Sequence, residues 1–156
     1  MSRPVTNIER FLPDEPATKR LGSRLGAALS AGDVICLTGA LGAGKTTLAR
    51  AIIAAASGMT DVPSPTFSLV ETYPDGPVDI WHFDLYRLEN AEDVWELGLE
   101  DALNEGACLI EWPEQIESYL PKNPLVLALK AEGDSRHLTI RASGTWPDRL
   151  HQAGIA

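Results

Sequence analysis

Gly39-Ala40-Leu41-Gly42-Ala43-Gly44-Lys45-Thr46-Thr47 obeys the phosphate-binding loop pattern G-x-x-x-x-G-K-[ST] at every constrained position. Its flanks agree with it. Val34-Ile35-Cys36-Leu37, just ahead, is a short apolar run suited to a buried strand, and behind the loop Leu48, Ile52 and Ala55 recur at helical spacing. A strand, a glycine loop and a helix in that order make a receptor for crowded negative charge. Gly39, Gly42 and Gly44 let backbone N–H groups approach phosphate with no side chain in the way, and Ala43 keeps the same cradle small. The helix starting near Lys45 turns the positive end of its dipole toward the same spot. Lys45 would reach the β- and γ-phosphates, the Thr46 hydroxyl would take a place on a Mg²⁺ ion, and Thr47 would add a hydroxyl near the α-phosphate. The competing reading is a glycine-rich turn that fits the pattern by accident.

A chain of 156 residues suits one domain over 1–156, with 1–12 and 143–156 expected to be loose or peripheral. Charged residues make up 22% and hydrophobic ones 44%, the balance of a globular protein. The net charge of -9 weighs against an independent grip on nucleic acid, since neutralising phosphate needs clustered Lys and Arg. Protein partners are expected instead. Cys36 and Cys108 lie in apolar runs outside any C-x-x-C pair, so two buried thiols are expected rather than a disulfide. No N-terminal stretch resembles a signal peptide and no apolar run is long enough to cross a bilayer, which makes the expected location cytoplasmic.

Along the chain, Asp14, Glu15 and Pro16 supply a helix start, continued by Leu21, Leu25 and Leu29 on one face; Ser57-Gly58 ends the loop helix. Two prolines hold Val62-Pro63-Ser64-Pro65 extended. Alternation over Phe67 to Tyr73 and Val78 to Tyr86, with turn residues between, predicts a hairpin. Asn90 resembles a further helix start with a break at Gly98, and Ala107 to Ile110 is a second buried-strand candidate. Leu125 to Lys130 and His137 to Ala142 close the chain as strands. The expected fold class is α/β, a P-loop NTPase-like sheet of mixed parallel and antiparallel strands with helices on both faces.

Mg²⁺ on a triphosphate needs a carboxylate beside the loop threonine, and ligands in α/β sheets gather at the carboxyl ends of the strands. Glu111 follows four apolar residues and so falls there; otherwise it marks only where a strand meets water. Asp84 is the second acid, for a metal-bound or attacking water, unless it is a polar residue on the outer face of the hairpin. Lys45, Asp84 and Glu111 are thus the candidate catalytic set. Ser64 and Thr66 are either hydroxyls that sense a γ-phosphate in the manner of a switch or plain turn residues. His82, Tyr86 and Arg87 cluster with Asp84, and Trp112 reads as a partly buried strand end. The three histidines have no metal-ligand spacing, which argues against zinc. No N-K-x-D or T-K-x-D guanine reader is present, so ATP is favoured by elimination.

With these pieces assembled, the chain resembles the TsaE family, small bacterial ATPases of tRNA threonylcarbamoyladenosine biosynthesis, over most of residues 12 to 141. The likeness is carried by the loop at 39 to 47, Ser64-Pro65-Thr66-Phe67 with Leu69-Val70 and Tyr73, His82-Phe83-Asp84-Leu85-Tyr86-Arg87-Leu88, and Ile110-Glu111-Trp112-Pro113-Glu114. The resemblance implies a P-loop α/β fold that hydrolyses ATP slowly alone. It implies action with TsaB and TsaD, which with TsaC place a threonylcarbamoyl group on adenosine 37 of tRNAs reading codons that begin with A, so that tRNA is reached only through the complex and no membrane is involved. It implies Mg²⁺ on Thr46 and Glu111, a role in activity for Asp84, and switch behaviour of Ser64 and Thr66. Asp14, Glu15 and Arg136 would help to hold the nucleotide. One departure is Ala40, where many members have Asp. Two rival readings are a nucleotide-stabilised assembly module with incidental hydrolysis and a small-molecule P-loop kinase, although the arginine-rich lid of such kinases is not visible in the sequence.

Overall fold

Residues 5–155, except 60, 64, 66, 67 and 75, are described in the computed structural model of the chain. Its strands are β1 (Thr6–Leu12), β2 (Val34–Thr38), β3 (Val70–Tyr73), β4 (Ile80–Asp84), β5 (Ala107–Glu111), β6 (Leu125–Glu132) and β7 (Ser135–Ala142). The helices are α1 (Glu15–Ala27), α2 (Lys45–Ser57), α3 (Leu99–Glu105) and α4 (Trp146–Gln152), with 3₁₀ segments at Ala91–Trp95 and Pro113–Tyr119. The strands form one sheet in the order β1-β7-β6-β2-β5-β4-β3. β2 sits at its centre between parallel β5 and β6, and β4 lies parallel to β5. The β3–β4 hairpin, the β6–β7 pair and the β1–β7 pair are antiparallel.

Continuous apolar runs suit a strand covered on both faces, and this is where Val34 to Leu37 and Ala107 to Ile110 are found. Alternate residues of β2 enter different cores: Ile35 and Leu37 pack with residues of α1, α2 and α4, whereas Val34 and Cys36 pack with α3 and the two 3₁₀ segments. Helical structure on both faces of a mixed sheet is the expected fold class. Cys36 and Cys108 are both free and buried, and burial pushes each thiol up to about 12. No helix among the described residues is long and apolar enough to cross a membrane.

Both chain ends carry regular structure. β1 is peripheral, as an edge strand, but it is not loose: Thr6 to Leu12 pair in register with Ala142 to Arg136. At the other end α4 buries Trp146 and Leu150, and Arg149 donates to both carboxylate oxygens of Asp33, at 2.8 and 2.6 Å. A seven-residue helix with two apolar anchors carries little periodic signal, and the ion pair that fastens it joins residues far apart in sequence.

α1 and α2 lie unusually close because α1 presents Gly22 and Gly26 to α2. A Cβ on Gly26 would stand 2.4 Å from the Ile52 carbonyl oxygen, and one on Gly22 would stand 2.5 Å from Ala51 Cβ. This approach brings the N-terminus of α1, capped by Asp14 accepting from the Ala17 N–H at 2.9 Å, beside the loop that precedes α2. Gly26→Ala would gain about 1 kcal/mol of helix propensity. Overpacking against backbone costs about 1–3 kcal/mol, and here the backbone oxygen cannot rotate away. The packing loss is expected to win, lowering the urea midpoint at unchanged m-value; an unchanged or higher midpoint would mean that the two helices are farther apart than described.

Candidate nucleotide site

The loop between β2 and α2 owes its shape to close backbone approach. Gly39 has φ 140°, and a Cβ there would lie 2.4 Å from the Leu129 carbonyl oxygen, so no larger residue fits as β2 leaves the sheet beside β6. The Ala43 N–H donates to the Ala40 carbonyl at 3.1 Å and tightens the turn. Gly44, in the left-handed region at φ 102°, is the N-cap of α2 and offers no capping side chain. The first N–H groups of α2 therefore have no side-chain cap, which is the arrangement that receives an anion.

Pleating supplies the acids. Ile80, His82 and Asp84 alternate along one face of β4, as do Ala107, Leu109 and Glu111 along β5, and Asp84 is in register with Glu111. Both strands stop at this level, facing the start of α2. Glu111 Oε1 accepts from the Thr46 hydroxyl at 2.8 Å, and Glu111 Oε2 lies 2.7 Å from His82 Nε2. Asp84 is 7% exposed, which excludes the outward-facing hairpin position. Lys45 Nζ donates to the carbonyls of Gly39 and Ala40, at 2.5 and 3.0 Å, and stands 4.0 Å from the centroid of the Trp112 ring. Trp112, held at φ 60°, also packs on Tyr86 at a centroid distance of 4.9 Å. A cavity of about 180 Å³ is shared by Gly42, Lys45, Thr46, Asp84, Glu111 and Trp112.

Burial, then the neighbouring Glu111 charge, raises the Asp84 carboxyl above its ordinary range; the Tyr86 N–H at 3.2 Å, His82 and Lys45 oppose the shift. Burial lowers Lys45, while Glu111, Asp84 and Glu114 pull it back upward. A second cleft, of about 340 Å³, opens on the other side of the loop, lined by Asp14, Glu15, Thr18, Gly44, Thr47 and Arg136, with Asp134 at its edge. Arg136 leans over the loop and donates to the Gly42 carbonyl at 3.4 Å, while Glu15 is paired with Lys19 at 3.1 Å.

The structure thus brings Lys45, Thr46, Asp84 and Glu111 into one cavity, and places Asp14, Glu15, Thr47 and Arg136 around the adjoining one. Ser64 and Thr66 lie outside the described residues. Sequence reading missed two contacts: Trp112 beneath Lys45, and buried His82 against Glu111. The first has no local signal, but His82 and Asp84, spaced by two on a strand that ends like β5, could have been placed together on the Glu111 face. The donors here are oxygens of a hydroxyl and a carboxylate, which suit Mg²⁺. Among the described residues no three His, Cys, Asp or Glu side chains converge on a metal position, so an ion here would complete its shell from phosphate and water.

A family model described as "Threonylcarbamoyl adenosine biosynthesis protein TsaE" matches residues 12–139. A Rickettsia felis protein named tRNA threonylcarbamoyladenosine biosynthesis protein TsaE is 41% identical over 129 residues, 82% of this chain and 75% of that relative. The Bacillus subtilis protein of the same name is 37% identical over 134 residues, 85% of this chain and 82% of its own length. The crystal structure of YdiB from Bacillus subtilis aligns with a TM-score of 0.78 at 31% identity, covering 98% of this chain and 97% of that one.

Because folding raises the Asp84 carboxyl, its ionised form weakens the fold at pH above the raised value, and this penalty disappears below the ordinary carboxylate range. In Asp84→Asn the amide oxygen still accepts from Tyr86. The substitution is expected to raise the melting midpoint of the nucleotide- and metal-free protein at neutral pH, by about 2–4 °C per kcal/mol relieved. The gain should vanish near pH 3, roughly the lower edge of carboxylate titration. A lower midpoint at neutral pH would show that the stabilising contacts of the Asp84 carboxylate outweigh its burial and the Glu111 charge.

Proposed function

We propose, from the premise that this chain belongs to the TsaE family, that it is the ATP-binding and ATP-hydrolysing subunit of tRNA threonylcarbamoyladenosine biosynthesis. The observation that carries this reading is the shared cavity in which a loop lysine and threonine meet two carboxylates from separate strand ends, beside the uncapped start of α2. Mg²⁺ bound with the triphosphate would neutralise charge on the phosphate oxygens. Thr46 and Glu111 are its protein ligands in this reading. Lys45 exchanges the carbonyls of Gly39 and Ala40 for phosphate oxygens, and the loop N–H groups from Gly42 to Thr47 hold the rest of the phosphate chain.

Asp84 orients the attacking water. Its burial beside Glu111 makes its carboxylate a better proton acceptor than an exposed aspartate. Asp14, Glu15 and Arg136 take the nucleoside side, in the cleft continuous with Gly44 and Thr47. Ser64 and Thr66 act as the switch that reports the γ-phosphate, and the bound form of the protein engages TsaB and TsaD, with tRNA reached through that complex. Hydrolysis resets the cycle.

ATP turnover measured alone and then with TsaB and TsaD tests the proposal, with strong stimulation expected; equal rates would remove the partner-driven cycle. Lys45→Ala is expected to abolish nucleotide binding. Glu111→Ala should retain binding while Mg²⁺-dependent turnover falls about a hundredfold, the order lost with one charge-stabilising group. Normal turnover in that variant would refute the metal role of Glu111. Equal modification yields over many turnovers with ATP and a non-hydrolysable analogue would favour the assembly module instead.

A further inference from the structure

His82 is fully buried in β4, and among the described residues its Nδ1 has no hydrogen-bond partner. An unpaired buried polar atom costs roughly 1–3 kcal/mol, so an apolar residue would serve this strand position better if packing were its only task. The other ring nitrogen, Nε2, lies 2.7 Å from Glu111 Oε2. At that separation a proton must lie between the two atoms. With Glu111 ionised, the imidazole supplies it from Nε2, and Nδ1 is left without a partner.

Glu111 needs such a hold. It ends its strand, its Oε1 is engaged by Thr46, and a single hydrogen bond leaves the carboxylate free to turn about its broad terminal torsion. The nearby Lys45 ammonium lines the same cavity and would attract it. A lysine captured by Glu111 would be lost to phosphate. Two donors acting on opposite oxygens, Thr46 on Oε1 and His82 on Oε2, fix the carboxylate plane and keep it apart from Lys45, which instead rests on the Gly39 and Ala40 carbonyls.

We propose that His82 is a positioning residue: its Nε2–H clamps Glu111 Oε2 so that Oε1 is presented, with the Thr46 hydroxyl, to the metal position. This rests on the reading of Glu111 as a metal ligand given above. Its chemistry is that of a partner behind a ligand, whose loss typically weakens metal affinity while leaving the other ligands in place.

Two substitutions separate the clamp from a general need for a polar core residue. The amide nitrogen of His82→Gln reaches the place of Nε2, whereas that of His82→Asn stops near Nδ1, short of Glu111. The readout is Mn²⁺ affinity of the full-length protein with a non-hydrolysable ATP analogue, by electron paramagnetic resonance, beside analogue affinity in chelator. His82→Asn is expected to weaken Mn²⁺ by roughly 10–100-fold, leaving metal-free analogue affinity unchanged, and His82→Gln to return Mn²⁺ affinity close to that of the unsubstituted protein. Wild-type Mn²⁺ affinity in His82→Asn, or an equal loss in both variants, overturns the clamp. Glu111→Ala run in parallel tells the two levels apart: unchanged Mn²⁺ affinity there sinks the metal reading and the clamp with it, whereas a loss there with none in His82→Asn sinks the clamp alone. Nitrogen NMR of the unsubstituted protein needs no variant to fold. A proton on Nε2 supports the clamp, and a ring protonated on Nδ1 alone overturns it.

Discussion

Asp84 and Glu111 end neighbouring parallel strands in register, and the pleat turns both toward the start of α2. Burial of Asp84, and then the charge of Glu111 beside it, disfavour the ionised carboxylate there, and that is the cost of this arrangement. Much of the surrounding chemistry answers that cost. Lys45 supplies a cation, Thr46 and His82 each engage one oxygen of Glu111, and the Tyr86 N–H holds Asp84. A site of this kind is poised rather than relaxed: a divalent ion and a phosphate chain would enter a place where negative charge is already crowded but where the ion relieves more than the phosphate adds. Stability of the empty protein and affinity for its ligand are therefore set against each other at the same two side chains.

The two ends of the site come from different parts of the architecture. The parallel centre, β2, β5 and β4, delivers the phosphate loop and the acids, because strands running the same way release their carboxyl ends at one edge. The flanks deliver the adjoining cleft. α1 brings Asp14 alongside through glycine contacts with α2, and the β6–β7 turn carries Arg136 over Gly42 and Gly44. A loosening of α1 from α2 would thus open one cleft without disturbing the carboxylates in the other.

What the sequence made legible was local. The loop pattern, the flanking strand and helix, the hairpin and the break at Gly98 each depend on residues within a few positions of one another, and each is present, the hairpin strands being shorter, at Val70–Tyr73 and Ile80–Asp84, than the alternation suggests. Glu111 could be placed at a strand end because four apolar residues precede it. The contacts that orient it could not be read, since Thr46 and His82 approach it across 65 and 29 residues. Nor could the order of strands, which depends on which pairs of edges meet, or the seat of α4, which depends on an ion pair between its own Arg149 and Asp33 ahead of β2.

The resting place of Lys45 bears on the departure at Ala40. Two hydrogen bonds from a charged donor, each worth about 1.5–3 kcal/mol, and a cation–π contact of about 0.5–2 kcal/mol hold the ammonium before any ligand arrives. Ala40 takes part through its backbone carbonyl, and its side chain is exposed. An acidic side chain at that position would stand at the surface and would not be needed for the hydrogen bond that parks the lysine. Alanine in place of an acid therefore changes the charge of the loop's outer surface while leaving the Lys45 hydrogen bonds to the loop carbonyls unaltered. Leu41, next in the loop and 65% exposed, adds an apolar side chain to the same outward surface, so this rim is less acidic and more apolar than an aspartate would make it.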